Sequence, residues 1–313
     1  MSDDTRAPTQ DPNLINAWGL AVNPNAANGP AFWVSANGTG VATVYSASGA
    51  ILPLVVNVSS PDGGAPTASP TGQVFNSSTA FMGDKFIFDG EDGTISGWQT
   101  GTTTVVRADR SSERASYKGL ALVNAAGGAT LWAANFAAGK VDVFDSAYAL
   151  STTTPTDPDL PAGFAPFNVA ALGDAVYVAY AKQDATQLND VSGPGNGYVD
   201  VFASDGTLQK RLISGGVLNS PWGMALAPAG FGAFAGDLLI GNFRDGTVNA
   251  FDPTSGAPIG SLVKSNGPVI ISGLWALVFG PKTASVDLSQ TLFYTAGPSA
   301  EQHGVFGKFE LAP

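Results

Sequence analysis

Apolar residues along this chain fall in short runs cut by turn-forming residues, and the pattern is clearest between Pro221 and Asp252. A first run, Gly223 to Ala227, is followed by Leu238 to Ile240, which ends in Gly241 and Asn242. A third run, Val248 to Phe251, is preceded by Gly246, and a fourth, Ile259 to Val263, follows the turn Pro253 to Gly256. Runs this short, bounded by Gly, Pro, Asn and Asp, predict strands joined by tight turns. No stretch carries the 3.6-residue apolar period of a packed helix over three turns.

The same unit recurs six times. First runs begin at Trp18, Thr71, Lys118, Phe167, Trp222 and Leu274. In the third run a glycine precedes an aromatic by five positions: Gly40 and Tyr45, Gly93 and Trp98, Gly139 and Phe144, Gly197 and Phe202, Gly246 and Phe251, Gly304 and Phe309. The glycine suits a turn with positive φ, and the aromatic suits a strand facing a neighbouring sheet. A period of roughly 50 residues is that of propeller blades. The prediction is an all-β, six-bladed β-propeller of four-stranded antiparallel blades around a central channel, spanning residues 14–313. Residues 1–13 read as a loose arm. Blade six looks short of its closing strand, since Pro8 and the adjacent acidic residues make Met1 to Gln10 a poor substitute. A chain cut at its N-terminus is therefore expected.

Three segments stand outside the repeat. Ser59 to Pro70 is a Gly/Pro/Ser loop, Arg107 to Arg114 reads as a solvated charged loop, and Lys182 to Asn196 is a polar insertion in blade four. Long loops on rigid scaffolds are where function tends to sit.

Composition narrows the function. Of 313 residues, 44% are hydrophobic and only 12% charged, with 39 Gly and 21 Pro. A core is affordable and turns are many. The net charge of −11 and the lack of any Lys/Arg cluster argue against nucleic acid and anionic membrane as partners. No apolar stretch of about 18 residues is present, so no membrane span is expected. Without cysteine, disulfides, thiolate metal sites and Cys nucleophiles are excluded. The low charge suits a secreted or periplasmic protein, although Met1-Ser2-Asp3-Asp4 is no leader peptide.

The motifs DPNLINAWGLAV, FWVSANGTG, FDGEDGTISGW, DPDLPAGFAPFNV, GNGYVDVF, LNSPWGMALAP, GNFRDGTVNAFDP and AGPSAEQHG run over nearly the whole chain. Together they resemble a bacterial family of uncharacterised secreted propellers, some of whose members carry a C-terminal PEP-CTERM sorting tail. The chain departs from that family in its start and in lacking the tail. More distantly it is similar to NHL-repeat, gluconolactonase-like and strictosidine-synthase-like propellers. The resemblance implies a six-bladed propeller and brings no established activity.

In such a fold, inner-strand starts and second-to-third-strand loops open onto one face, which places the candidate residues. Asn37, Glu91, Asn135 and Asn242 share one repeat position. They could offer oxygens to Ca²⁺, as in gluconolactonase-like propellers, or cap Asx-type turns. His303, the only histidine, lies two residues from Glu301 and could act with it as general base, or sit exposed in its loop. Lys118, Lys182 and Arg244 could clamp an anion or, for a desolvated lysine, act as nucleophile or base. They could equally pair with Glu91, Asp92, Asp184 or Asp245. Trp18, Trp222 and Trp275, with Tyr117 and Phe167, could form an aromatic platform or wedge between blades. No G-x-S-x-G elbow is present. The expected function is recognition of a small molecule, glycan or partner at the channel mouth. The alternative is a lactonase/esterase-like or strictosidine-synthase-like enzyme, with or without a metal.

Overall fold

The structure is a computed structural model that describes residues 1–4, 7–61, 68–265 and 267–310. Half of the Gly/Pro/Ser loop expected after blade one, and the last three residues, lie outside the described residues. Six antiparallel sheets make it a six-bladed β-propeller. Blade one holds strands Ala17–Asn23, Ala31–Ala36, Val41–Ser46 and Ile51–Asn57. Blade two holds Pro70–Phe75, Phe86–Gly90, Thr94–Trp98 and Val105–Asp109. Blade three has Tyr117–Ala125, Gly128–Asn135 and Lys140–Phe144, and blade four Phe164–Leu172, Ala175–Lys182, Gly197–Phe202 and Leu208–Ser214. Blade five has Pro221–Leu226, Leu238–Asn242, Val248–Phe251 and Pro258–Ser261, and blade six Leu274–Phe279, Leu292–Ala296 and Val305–Phe309. Each blade is a meander, its strands paired in chain order. Among the described residues helix is limited to three single 3₁₀ turns, and no helix is long and apolar enough to cross a membrane.

Two compact units contain these blades. Unit 1, Met1–Val56 with Trp222–Pro313, carries blades one, five and six; unit 2, Asn57–Pro221, carries blades two, three and four.

In unit 1 the core of blades five and six is built from Leu239, Val248, Leu274, Leu277 and Leu292. Two of the repeat's aromatics are buried there too, Tyr45 and Phe251 being at most 2% exposed, while Phe309 is half-buried. The N-terminal segment is not the loose arm its polarity suggests. Met1 and Phe306 exchange backbone hydrogen bonds at 2.8 and 3.1 Å, and Ser2 bridges antiparallel to Val305. These residues take the outer position of blade six that the sequence left empty. Backbone pairing needs no side-chain pattern, which is why acidic neighbours do not prevent it. Asp11 is buried and accepts from Tyr45 Oη at 2.9 Å.

In unit 2 the core runs through Trp132, Val143, Val169, Val178 and Phe202. Among the described residues blade three has three strands, and the chain that follows adds a bridge from Leu150 to Phe144. Arg107, expected in a solvated loop, instead forms a two-pronged bond to buried Asp84 at 2.6 Å on each prong, and Tyr148 Oη donates to the same carboxylate at 2.7 Å. Buried charge is tolerated there because the carboxylate is multiply bonded. Asp157, in the segment that echoes Asp11, is held by Arg211 Nε at 2.9 Å.

Candidate functional site

A β-bulge sits near the start of the inner strand in five blades. Register slips between Ala17 and Leu20, Pro70 and Gln73, Tyr117 and Leu120, Pro166 and Asn168, and Leu274 and Leu277. A bulge re-aims the side chain it displaces. The displaced residues include Trp18, Thr71, Lys118, Phe167 and Trp275, and repeat register puts Trp222 at the same place. A small residue follows in most blades because the next inner strand comes close. A Cβ on Gly72 would strike the Leu120 backbone, and one on Gly223 would lie 2.5 Å from Trp275 O. Polar residues opposite the bulge satisfy the freed backbone: in blade six Thr295 Oγ1 accepts from Ala276 N at 3.0 Å and donates to Trp18 O.

Unit 1 fills this position with indoles. Trp275 is sandwiched, with Trp18 stacked at 3.6 Å and Phe243 at 3.8 Å between centroids, and Trp222 edge-on at 5.9 Å. All four rings are at most 5% exposed. With both faces covered, Trp275 is a wedge and offers no platform to a flat ligand. Exposed Arg244 lies over the Phe243 ring at 4.7 Å. At the edge of the stack Trp275 Nε1 donates to Asn16 Oδ1 at 2.9 Å. Asn16 Nδ2 donates to Asn37 Oδ1 and to Glu301 Oε2, both at 3.1 Å. Asn16, Ser299, Ala300 and Glu301 all have φ between 47° and 67°. Left-handed backbone at non-glycine residues costs roughly 1 kcal/mol or more each, and here polar bonds offset it.

Unit 2 fills the same position with Thr71, Lys118 and Phe167. Lys118 is 4% exposed, and its Nζ donates to Glu91 Oε1, from the second-to-third-strand loop of blade two. The Glu91 side chain keeps 32% of its surface open. Beneath the pair, Thr71 Oγ1 donates to Asp89 Oδ1 at 2.8 Å and to Tyr117 O at 2.9 Å. Burial pushes the Asp89 carboxyl up to about 7, against the opposing bonds from Thr71 and the Gly72 N–H. Burial also raises Asp92. Phe167 packs on Phe136 at 5.3 Å. Tyr117 Oη donates to Asp142 Oδ2 at 3.0 Å, which also accepts from Asn135 Nδ2 at 2.8 Å.

Several expected residues belong elsewhere. His303 does not pair with Glu301; its Nδ1 lies 2.7 Å from Asp3 Oδ2. Glu301 turns instead to Asn16, directed there by its left-handed turn. Asp184 Oδ1 accepts from Thr186 N at 3.0 Å and Thr186 Oγ1 at 2.7 Å, and Oδ2 from Asn189 Nδ2 at 3.1 Å. Those bonds hold its carboxyl down to about 2 and make it the cap of a folded insertion. Lys182 is exposed on that insertion, and its carbonyl accepts from Val191 N.

The four residues considered for calcium fall two to each unit. Glu91, their single carboxylate, already holds an ammonium. Asn135 Oδ1 accepts from Ser116 N at 3.4 Å and Ala138 N at 3.2 Å, and Asn242 Nδ2 donates to Thr247 Oγ1 at 3.2 Å. These amides serve their own loops, and a donor set with one carboxylate already paired to an ammonium does not fit a hard dication. Sequence reasoning missed Asp89, Phe136 and Phe243. The two aromatics each follow one of the repeat-position asparagines, a signal that was available.

No family model matches the chain. An uncharacterized protein of Acanthamoeba polyphaga mimivirus is 32% identical over 286 residues, covering 85% of this chain and 69% of its own length. A second from the same virus is 32% identical over 288 residues, covering 85% and 74%. The chain belongs to their family. These family members come from a virus, so they lend no support to a bacterial secreted origin or a sorting tail. Among solved structures, virginiamycin B lyase from Staphylococcus aureus is similar at TM-score 0.58 and 10% identity, over 96% of this chain and 87% of its own. A nidogen/laminin complex chain gives 0.57 and 11%, over 86% of each, and a Xanthomonas campestris gluconolactonase 0.54 and 14%, over 95% and 87%. At these identities the likeness is one of fold.

Proposed function

We propose that the chain is a binding propeller that recognises a small polar molecule in unit 2, with the Lys118 ammonium and the Glu91 carboxylate as its recognition pair. The observation that supports this most is a buried ammonium fixed by a carboxylate that stays partly open. A cation buried for stability alone gains little over an apolar residue of similar size. A fixed cation beside an accessible acceptor reads a ligand that offers both a donor and an acceptor, such as a polyol or hydroxy acid. Calorimetric titration with a panel of such molecules tests it. Binding to the wild type that is lost in a folded Lys118→Met variant supports the reading. A panel that binds equally to both proteins, or to neither, removes it.

A hydrolase or lyase reading draws on Asp89, which titrates at about 7 close to the same pair and could move a proton at working pH. Turnover of a lactone or ester panel by wild type, absent in Asp89→Asn, would favour it over simple binding. The reading involves no metal at Asn37, Glu91, Asn135 and Asn242. A melting temperature unchanged by millimolar Ca²⁺ is the expected outcome.

A further inference from the structure

Blade three stops one strand short of its neighbours in unit 2, and a cavity lies beside the missing position. After Phe144 the chain turns back, and Ser151 N donates to Val143 O at 2.7 Å, but residues 152–155 then run irregularly. The cavity has a volume of about 330 Å³. That lies in the range of small-molecule sites. It adjoins the Ala125 end of the inner strand Tyr117–Ala125. Lys118 lies near the other end, seven residues away, or roughly 23 Å at strand rise. The cavity is therefore separate from the Lys118–Glu91 pair.

Its lining restricts what could enter. Val143, Pro155 and Trp132 supply an apolar wall, Thr130 and Ser146 hydroxyls, and Asp145 and Asp205 carboxylates. No Lys, Arg or His contributes among the described residues, which disfavours an anion. Asp145 caps its own turn through Oδ1, accepting from Ala147 N at 2.8 Å and Ala149 N at 2.9 Å, and Asp205 does so from Thr207 N at 2.9 Å. The Thr207 bonds hold Asp205 below the usual carboxylate range, so it is an ionised acceptor at neutral pH. Carboxylates that accept from several hydroxyls, beside an apolar wall for C–H faces, match one class of ligand best.

We propose that this cavity binds a single neutral or amino sugar residue, independently of the recognition pair. Its hydroxyls would donate to Asp145 and Asp205, and one C–H face would lie against Pro155 and Val143.

Saturation-transfer NMR with glucose, galactose, N-acetylglucosamine and glucosamine tests this. At least one sugar should give saturable transfer. The double change Asp145→Asn and Asp205→Asn keeps the turn caps and should weaken its Kd roughly tenfold or more. Gly127→Phe provides a second variant that should fold, because a Cβ at Gly127 meets nothing within 4 Å. The added ring at the rim should block binding. Transfer should persist in Lys118→Met, where any sugar held by the recognition pair is lost, so that what remains reports the cavity. The proposal is overturned if no sugar gives saturable transfer at about 50 mM, if binding survives both cavity variants, or if Lys118→Met abolishes it.

Discussion

The two units place different chemistry on one backbone device. Both carry inner strands bulged at the same repeat position, followed in most blades by a residue small enough for close approach. Unit 1 uses that position for Trp18, Trp222 and Trp275, rings that cover one another. Unit 2 uses it for Thr71, Lys118 and Phe167, and so brings an ammonium, a carboxylate and a hydroxyl to the corresponding place. The bulge is thus a neutral mount. What it displays is set by one side chain per blade, and a triplet of blades can be closed by aromatics or left polar without altering the sheets.

The strongest way to break this contrast is to empty the aromatic side. Trp275→Ala removes a ring stacked on both faces and the indole donor to Asn16 Oδ1. Truncating a buried tryptophan costs about 3–5 kcal/mol. Urea unfolding should show a loss of that size. A loss under about 1 kcal/mol would mean that the stack adds little and that the contrast is one of composition alone.

The polar side should respond asymmetrically. Glu91→Gln leaves the Lys118 ammonium buried without its counter-charge and should cost roughly 2–3 kcal/mol. Lys118→Met leaves only a half-open carboxylate, which water can reach, and should lie within about 1 kcal/mol of wild type. Reversal of that order in denaturant midpoints would show that Glu91, not Lys118, is the buried member.

Much of this frame was legible in the chain. The Gly–aromatic spacing located third strands because a turn and a sheet interface each impose a residue type locally. The Asp-Pro-x-Leu starts of DPNLINAWGLAV and DPDLPAGFAPFNV carry Asp11 and Asp157, each of which holds a side chain from a later strand. Partner choice was not legible. Lys118 had several acidic candidates and pairs with the one 27 residues earlier, because register across two blades decides it. Nothing in the sequence singled out Asp89; only the bulge opposite it explains a buried carboxyl bonded to Thr71. Closure of blade six by Met1 and Ser2 runs through backbone groups, which leave no side-chain signature. The Asp3 partner of His303 was not legible for a related reason, since Asp3 arrives with that same closing segment.

The units should also differ in pH response. Opposite their bulges, blades one and six of unit 1 carry Ser35 and Thr295, whereas blade two of unit 2 carries Asp89. In the folded chain Asp89 keeps its proton up to about 7, whereas the unfolded chain releases it near the ordinary carboxyl value of 3.8. The folded state therefore binds more protons between about 4 and about 7, and stability falls as pH rises through that window, levelling off above it. The full shift corresponds to roughly 4 kcal/mol, and relaxation of the site should reduce it to about 2. Buried Asp200, raised to about 7 by burial and by Asp157, acts with the same sign and lies in unit 2 as well. Amide exchange at pH 5 and pH 8 should show protection lost in blades two and four and retained in blade six. Asp89→Asn, neutral throughout, should flatten the blade-two change. A uniform change across all blades would break the distinction.

The smallest effect belongs to the rim of unit 1. The His303 side chain is 43% exposed, and its contact with Asp3 is that of a surface pair, worth under about 1 kcal/mol. The bonds from Gly304 N and His303 hold the Asp3 carboxyl below its usual range against burial, so their contribution is present above pH 4 and fades as pH drops below that. His303→Gln keeps a hydrogen-bonding group there and should shift the melting temperature by no more than about 2 °C at pH 7. It should leave ligand binding at Lys118 and Glu91 unchanged. If His303→Gln abolished binding or turnover while leaving the fold intact, chemistry would belong to the aromatic unit too, and the division between a closed triplet and a polar one would have to be redrawn around the loop that carries Glu301.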